Sequence, residues 1–180
     1  MPTIDLVLPT VTRPRASSLV LAPRPANNAP LRLLLVDNGK PRASEILRFL
    51  AEAMADDLQV VAVNRHVKTS ASVVLSAEEA ADLAERNDVA LTGLGDCGGC
   101  SAGSMQDALT LERAGIPATV VVTEPFQGLV TQHAERLGAA AGHPTIVLPH
   151  PVATKDVESL RLLAQRTASL AVRHLTRVAS

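Results

Sequence analysis

The sequence predicts an α/β fold, a doubly wound three-layer sandwich in which helices cover both faces of a parallel sheet of about five strands. Five short runs rich in valine, leucine and isoleucine recur along the chain, and amphipathic segments of helical periodicity separate them. The first run, at 31–36, is almost continuously apolar, as expected for a strand buried on both faces. Because strand–helix–strand crossovers are right-handed, this alternation places helices on both faces of the sheet.

Local signals predict each element of the first half in turn. After the first strand, a polar turn at 37–41 leads into a helix whose apolar side chains recur on one stripe as far as Met54. The second strand, at 60–63, precedes a helix that has Ser76 as its N-cap. Glu79, three residues further on, completes a capping box.

The second half continues the alternation. The third strand leads into a helix whose buried stripe includes Met105, Ala108 and Leu109. The next helix ends at Gly138, because glycine is favoured directly after a helix C-terminus. In chain order we predict strands at 31–36, 60–63, 88–94, 118–123 and 145–148, and helices at 46–54, 77–86, 101–114, 129–137 and 155–176.

The chain divides into two regions. At 180 residues it is long enough for one domain with a sizeable core. Residues 1–30 are rich in proline, threonine, asparagine and alanine, and they contain short apolar runs at 4–8 and 18–21. We predict that they form an arm or edge segment that lies on the domain or on a partner subunit, which makes a homo-oligomer one candidate assembly. Residues 31–180 are predicted to form a single α/β domain.

Composition narrows the classes of function. The formal net charge is −1 and the only aromatic residues are Phe49 and Phe126, so neither a basic surface nor a base-stacking platform for nucleic acid is expected. No apolar run reaches the length of a membrane span. The first residues show neither the basic start nor the apolar core of a signal peptide. Two cysteines do not make the framework of a small secreted domain, so we expect a cytoplasmic protein.

The two cysteines form a Cys-x-x-Cys motif, Asp96-Cys97-Gly98-Gly99-Cys100, between the third strand and the next helix. Unpaired N–H groups at a helix N-terminus stabilise a thiolate, the nucleophilic form of cysteine. The spacing also lets the second thiol attack the first and form a disulfide. The glycines permit tight or left-handed turns. Asp96 disfavours a nearby buried thiolate unless its side chain turns to cap the helix.

Two other interpretations of the cysteines stay open. Two inert cysteines in a glycine-rich turn would serve packing alone. A structural zinc site needs four ligands, and the sequence has no second cysteine pair and no histidine spacing typical of metal sites. We therefore expect reactive thiols and no bound metal.

Four further residues follow predicted strands, and the C-terminal ends of such strands share the edge where ligands bind. Lys40 could pair with a substrate carboxylate or with the Cys97 thiolate, or it could be a solvated surface lysine. Asn38 could hydrogen-bond a ligand, although Asn-Gly is also an ordinary turn. Glu124 is a candidate proton carrier or amine ligand. His150, between two prolines, is the preferred acid–base residue.

The remaining basic residues and histidines are expected to play lesser parts. Positive charge after the second strand predicts an exposed loop that attracts anions or serves solubility. The residues of this loop are Arg65, His66 and Lys68. Three histidines are predicted on the surface, at His133, His143 and His174.

The segment at 93–126 resembles the UGSC family, which is named for a selenocysteine-Gly-Ser-Cys motif in which cysteine often replaces selenocysteine. The resemblance rests on Gly-Asp-Cys-Gly-Gly-Cys at 95–100, Asp-Ala at 107–108, Leu-Glu-Arg-Ala-Gly-Ile-Pro at 111–117 and Val-Thr-Glu at 122–124, and it extends to the turn at 37–41 and to Pro-His-Pro at 149–151. It implies that Cys97 takes the selenocysteine position and that Cys100 is the second thiol. Gly99 departs from the serine of the family name.

A more distant similarity is to the selenoprotein B subunit of glycine, sarcosine and betaine reductases. That subunit has a comparable Sec-x-x-Cys motif before a helix that ends in Glu-Arg-Ala-Gly-Ile-Pro. At Cys97 the nucleophile is sulfur, which is a weaker nucleophile and a poorer leaving group than selenium at neutral pH.

Three functions are consistent with the sequence. The first is a thiol-dependent enzyme in which Cys97 attacks a small, anionic molecule and Cys100 resolves the adduct, which leaves a disulfide for an external thiol or a thioredoxin-type reductant. The second is a racemase-like enzyme whose two thiols exchange protons with a substrate carbon. The third is a non-catalytic redox sensor or metal-binding module. No bound cofactor is expected for the first.

Overall fold

A computed structural model describes residues 18–139 and 142–177 of the protein, and five strands and five helices alternate along this part of the chain. The strands are β1 (Leu31–Asp37), β2 (Val60–Val67), β3 (Val89–Gly95), β4 (Ala118–Thr123) and β5 (Thr145–Leu148). The helices are α1 (Ala43–Met54), α2 (Ala77–Ala84), α3 (Gly98–Arg113), α4 (Gln127–Arg136) and α5 (Val157–Leu175). A single 3₁₀ turn, Glu124–Phe126, joins β4 to α4.

The strands form one parallel sheet in the order β2-β1-β3-β4-β5. Neighbouring side chains of β1 point to opposite faces, so Leu33 packs with α1 and α5 whereas Leu34 packs with α3 and α4. The two cores are aliphatic apart from Phe49. The predicted three-layer α/β sandwich is confirmed. No helix in the described ranges is long and apolar enough to cross a membrane.

The predicted signals at the helix ends are present in the structure. Ser76 and Glu79 form the capping box of α2 in both directions. Gly138 follows α4 with a φ of 103°, a conformation that a side chain would strain. Met105, Ala108 and Leu109 are fully buried on α3.

The prediction of an exposed basic loop after β2 was wrong. β2 continues to Val67 because it pairs with β1 as far as Asp37, so Arg65 and His66 belong to the strand. As an edge strand β2 tolerates polar side chains that face solvent. Lys68 is buried and forms an ion pair.

Residues 18–30 run along the amino edge of the sheet, while 1–17 lie outside the described residues. Glu112 of α3 fastens this segment. Its buried carboxylate accepts hydrogen bonds from the Ala22 N–H (2.6 Å), from the Arg24 guanidinium (2.8 and 2.9 Å) and from the Ala118 N–H (2.9 Å). The amino end of β4 and the N-terminal segment therefore meet at one carboxylate.

Of the three histidines predicted on the surface, one is buried and the other two are only partly exposed. The side chain of His143 is fully buried, with Nε2 3.6 Å from Glu112 Oε1. His174 is half-buried, and its Nδ1 lies 3.1 Å from Thr119 Oγ1. His133 is half-buried on α4. Burial lowers the pKa of both His133 and His174, because the charged ring loses water.

Glu112 should couple stability to pH. Burial raises the pKa of Glu112, but the polar groups of His143, Arg24 and Ala118 outweigh burial and hold this pKa below its usual range. A carboxyl whose pKa is lower in the folded than in the unfolded chain stabilises the fold above its unfolded pKa, and this stabilisation is lost as the pH falls through the folded pKa.

We therefore expect Glu112→Gln to lower the free energy of unfolding by about 3 kcal/mol near pH 7, because it removes one partner of a buried ion pair. The deficit should shrink as the pH falls below about 4, where the wild-type carboxyl also becomes neutral. Urea denaturation at several pH values measures both effects. The exposed Glu135→Gln on α4 is the control and should change stability by less than about 0.5 kcal/mol. A deficit independent of pH would contradict the electrostatic account.

Candidate active site

A very short connection positions the two cysteines. β3 ends at Gly95 and α3 begins at Gly98, so only Asp96 and Cys97 join them. A Cβ on Gly95 would lie 2.7 Å from both Ser101 Oγ and Val122 Cγ1, so glycine is required for α3 to start this close to the sheet. The Ser101 hydroxyl donates to the Cys97 carbonyl (2.7 Å) and tightens the first turn.

Both cysteines belong to the N-terminal turn of α3. Cys97 is the N-cap residue, and its Sγ accepts a hydrogen bond from the Cys100 N–H at 3.3 Å. The two form a disulfide, with Cα atoms 5.4 Å apart. Cys97 is exposed whereas Cys100 is only 4% exposed. One cysteine of the pair is therefore open to solvent, whereas the other is shielded from it.

The glycines between the cysteines do not form the left-handed turn that the sequence permitted. We predicted that this helix begins at 101, but α3 begins three residues earlier, at Gly98. Gly98 and Gly99 are therefore helical, and neither has a positive φ. A Cβ on Gly98 would contact only Leu129, and one on Gly99 would meet nothing within 4 Å. The glycines thus leave open space on the exposed side of the helix start.

Asp96 does not cap the helix but binds the ends of two other strands. Its Oδ1 accepts from the Thr123 hydroxyl (2.9 Å) and lies 2.9 Å from His150 Nδ1. Its Oδ2 accepts from the N–H groups of Val152 (3.2 Å) and Ala153 (3.0 Å). One carboxylate therefore joins the ends of β3, β4 and β5 at the predicted ligand-binding edge.

His150 lies directly beside this carboxylate. Its side chain is 36% exposed, and its ring packs edge-to-face against Phe126, with centroids 5.8 Å apart. The Nδ1 atom is also 3.0 Å from Thr123 Oγ1. The ring is held on one edge by Asp96 and Thr123, while the side chain keeps contact with solvent.

Asn38 is buried and supports the cysteine junction. Its Nδ2 group donates to the Leu94 carbonyl (2.9 Å) and to Ser104 Oγ (3.2 Å), and its Oδ1 accepts from the Lys40 N–H (3.3 Å). These bonds occupy the amide on both sides, so Asn38 fastens the end of β1 to β3 and α3.

Lys40 and Glu124 follow β1 and β4 at the same edge of the sheet. Both are exposed, and neither takes part in an ion pair between described residues. Of the predicted site residues, His150 thus contacts Asp96, which directly precedes Cys97 in the chain, and Asn38 bonds β3 and α3 on either side of the cysteine junction.

The sequence did not predict the buried ion pair between Lys68 and Asp107, which lies next to the site. Lys68 Nζ lies 2.5 Å from Asp107 Oδ2, and the other oxygen of Asp107 accepts from the Leu75 N–H (2.8 Å). Both side chains are almost fully buried, and burial raises the pKa of Asp107 despite these donors. The pair ties the β2–α2 loop to α3. The signal available in the sequence was the charged residue Asp107 among the apolar residues of the helix predicted at 101–114, since a buried charge needs a partner.

The positions of the two cysteines and of the acidic residues and histidines also concern the racemase-like and metal-binding alternatives. Both sulfurs lie on one turn of one helix, whereas a two-thiol racemase needs its thiols on opposite sides of the substrate. Within the part of the chain that the structure describes, no group of three or more histidine, cysteine or acidic residues could hold a metal ion.

Comparisons with known proteins agree with the motif. A family model described as the UGSC family matches residues 5–177. No curated protein matches the chain significantly.

Solved structures similar to this chain include a diflavin flavoprotein from Nostoc sp. (14% identity, 81% of this chain and 94% of that chain, TM-score 0.41). They also include a flavodoxin-like domain from Synechococcus sp. (12% identity, 79% and 96% coverage, TM-score 0.41). At these TM-scores neither likeness carries a functional argument.

The packing of the β2–α2 loop on α3 gives a stability prediction. A Cβ on Gly103 would lie 2.7 Å from the Ala71 carbonyl oxygen, a backbone atom that moves only with its loop. We expect Gly103→Ala to lower the free energy of unfolding by about 2 kcal/mol in urea denaturation. Gly99→Ala on the same helix meets no neighbour and is the matched control, expected to be neutral or slightly stabilising. Equal effects of the two variants would contradict this packing.

Proposed function

Because the chain belongs to the UGSC family, we propose that it is a thiol-dependent enzyme that reductively cleaves or transfers a group on a small anionic molecule. The observation that carries the proposal is the unequal exposure of two cysteines whose sulfur atoms are bonded to each other. Cys97 is exposed at the start of α3, and Cys100 is 4% exposed behind it. This is the arrangement expected of an attacking and a resolving thiol.

In the first step the Cys97 thiolate attacks a substrate R–X, an S–R bond forms, and X departs with the bonding electron pair. The position of Cys97 favours this step, because the Cys100 N–H donates to its sulfur and the positive end of the α3 dipole stabilises a thiolate there. The open space at Gly99 leaves room for the approaching group.

In the second step the Cys100 thiolate attacks Cys97 Sγ, the S–S bond forms, and R departs with the electrons of the S–R bond and takes up a proton. The substrate has gained two electrons and the thiol pair has lost two. When R is bonded through sulfur, the same two steps amount to thiol–disulfide exchange. The Cα separation of 5.4 Å is typical of a disulfide, so the second step needs no backbone movement.

The surrounding residues supply proton transfer and charge. His150 is the proposed acid–base residue, since its ring lies at the same edge and keeps solvent access. Lys40 is the proposed ligand for a substrate anion, because its ammonium is exposed and has no ion-pair partner among the described residues. Glu124 is an exposed carboxylate on the opposite flank and is proposed to carry protons or bind a substrate amine.

The catalytic cycle requires a two-electron donor that reduces the Cys97–Cys100 disulfide. We propose an external thiol or a thioredoxin-type protein in the cytoplasm. Such a donor must attack Cys97, since Cys100 is shielded from solvent. Cys100 then departs as the thiolate, and the second thiol of the donor releases the reduced protein.

The division of roles predicts unequal reactivity. In the reduced protein, iodoacetamide should alkylate Cys97 at least about tenfold faster than Cys100, because thiol reactivity follows exposure and thiolate character. Mass spectrometry of quenched peptides measures both rates. Equal rates, or faster labelling of Cys100, would contradict the assignment.

The same roles predict which variant traps the substrate. Cys100→Ser, reduced and exposed to small-molecule cell extract, should retain a covalent adduct on Cys97, because the resolving thiol is absent. Wild-type protein should instead accumulate the disulfide, and Cys97→Ser, the matched control, should do neither. If Cys97→Ser turns substrate over, or if Cys100→Ser gains no adduct under conditions that oxidise the wild type, the proposed function is wrong.

A further inference from the structure

We propose that Asp96 is a positioning residue that fixes the tautomer of His150 and so makes His150 Nε2 the proton acceptor for Cys97. This inference rests on the proposed function and extends it to a residue that lies next to the nucleophile in the chain. The Asp96 side chain bonds the segment at 150–153, which contains His150, to the connection between β3 and α3.

The surroundings of Asp96 are those of an ionised carboxylate. Two backbone N–H groups, from Val152 and Ala153, can only donate, and both point at Oδ2. The Thr123 hydroxyl donates to Oδ1. Both oxygens of Asp96 therefore act as acceptors in this arrangement.

The contacts of Asp96 determine which ring nitrogen of His150 carries the proton. An ionised carboxylate only accepts hydrogen bonds, so the His150 nitrogen that lies 2.9 Å from Asp96 Oδ1 must carry the proton. That nitrogen is Nδ1. In the neutral ring Nε2 is then unprotonated, with its lone pair directed away from Asp96 and free to accept a proton.

The proton balance of the proposed reaction uses this lone pair. The S–H bond of Cys97 breaks, an N–H bond forms at His150 Nε2, and the product is a thiolate and an imidazolium stabilised by the Asp96 carboxylate. As X departs, the imidazolium gives this proton to X. The neutral ring then takes the proton of the Cys100 thiol and gives it to R when Cys100 displaces R from Cys97. The pair thus ends the cycle in the state in which it began.

The contacts of Asp96 predict how an Asp96→Asn substitution would change the protonation of His150. Val152 and Ala153 present only donors, so the side-chain amide of an Asp96→Asn variant would turn its oxygen towards them. Its NH₂ group would then face His150 and Thr123 and donate to Nδ1. A ring that accepts at Nδ1 carries its proton on Nε2, and it has lost the acceptor that the reaction needs.

The first test reads the tautomer directly. In ¹⁵N NMR spectra at a pH where the ring is neutral, wild-type His150 should be protonated at Nδ1, and Asp96→Asn should shift it to the Nε2-protonated form. The signal is assigned by its loss in His150→Gln. The control Asp156→Asn, at the N-cap of α5 in the same connection, should leave the tautomer unchanged. A wild-type ring protonated at Nε2, or an unchanged tautomer in folded Asp96→Asn, overturns the proposal.

The second test measures the consequence at sulfur. In a Cys100→Ser background, Asp96→Asn should lower the rate of Cys97 alkylation by iodoacetamide by about tenfold or more. In the His150→Gln background, adding Asp96→Asn should lower it no further, because Asp96 acts through the ring. Independent, multiplicative losses would show that Asp96 acts only as a structural support and would overturn the inference.

The two proposals fail in different ways. If the tautomer does not respond but Cys100→Ser still traps an adduct on Cys97, the role of Asp96 is wrong and the thiol chemistry stands. If the tautomer responds and no adduct or disulfide forms, the thiol chemistry is wrong while the assignment of the ring by Asp96 stands.

Discussion

The two-residue connection between β3 and α3 is the constraint on which the rest of the site depends. A helix that begins so soon after its strand must lie almost in contact with the sheet, and the absence of a side chain at Gly95 permits this contact. The N-cap is then Cys97, whose sulfur accepts a hydrogen bond from the Cys100 N–H in the first turn of α3. Asp96, the other residue of the connection, is directed away from the helix and towards β4 and β5.

The strand order determines what this connection meets. Because β4 and β5 follow β3 in the sheet, Thr123 and the 149–153 segment end beside Asp96. On the other flank β1 ends beside β3, and Asn38 bonds the junction from there. The Lys68–Asp107 pair then holds the β2–α2 loop against the next turns of α3. Two of these four loops thus bond Asp96 in the connection, and the other two bond side chains of α3 itself.

Helix α3 also links the two ends of the motif by which the chain resembles its family. The cysteines occupy its first turn at the carboxyl edge of the sheet, whereas Glu112 occupies its last turn at the amino edge and binds Arg24 and Ala118. The acidic residues of the motif therefore have different tasks. Asp107 and Glu112 hold neighbouring segments in place, and Asp96 takes part in the proposed chemistry.

Hydrophobic periodicity, together with capping and turn signals, predicted the three-layer sandwich, the order of its strands and helices along the chain, and the edge at which the cysteines lie, because burial imposes its period on the sequence of each element. Because His150 and Asn38 follow predicted strands, the sequence also predicted both residues at that edge. The length of β2, the burial of Lys68 and His143, and the partners of Asp96 depended on the tertiary structure. Each of these arises from groups about 30 to 60 residues apart in the chain that come together only when the sheet forms, and a polar side chain carries no local signal of the partner that will bury it.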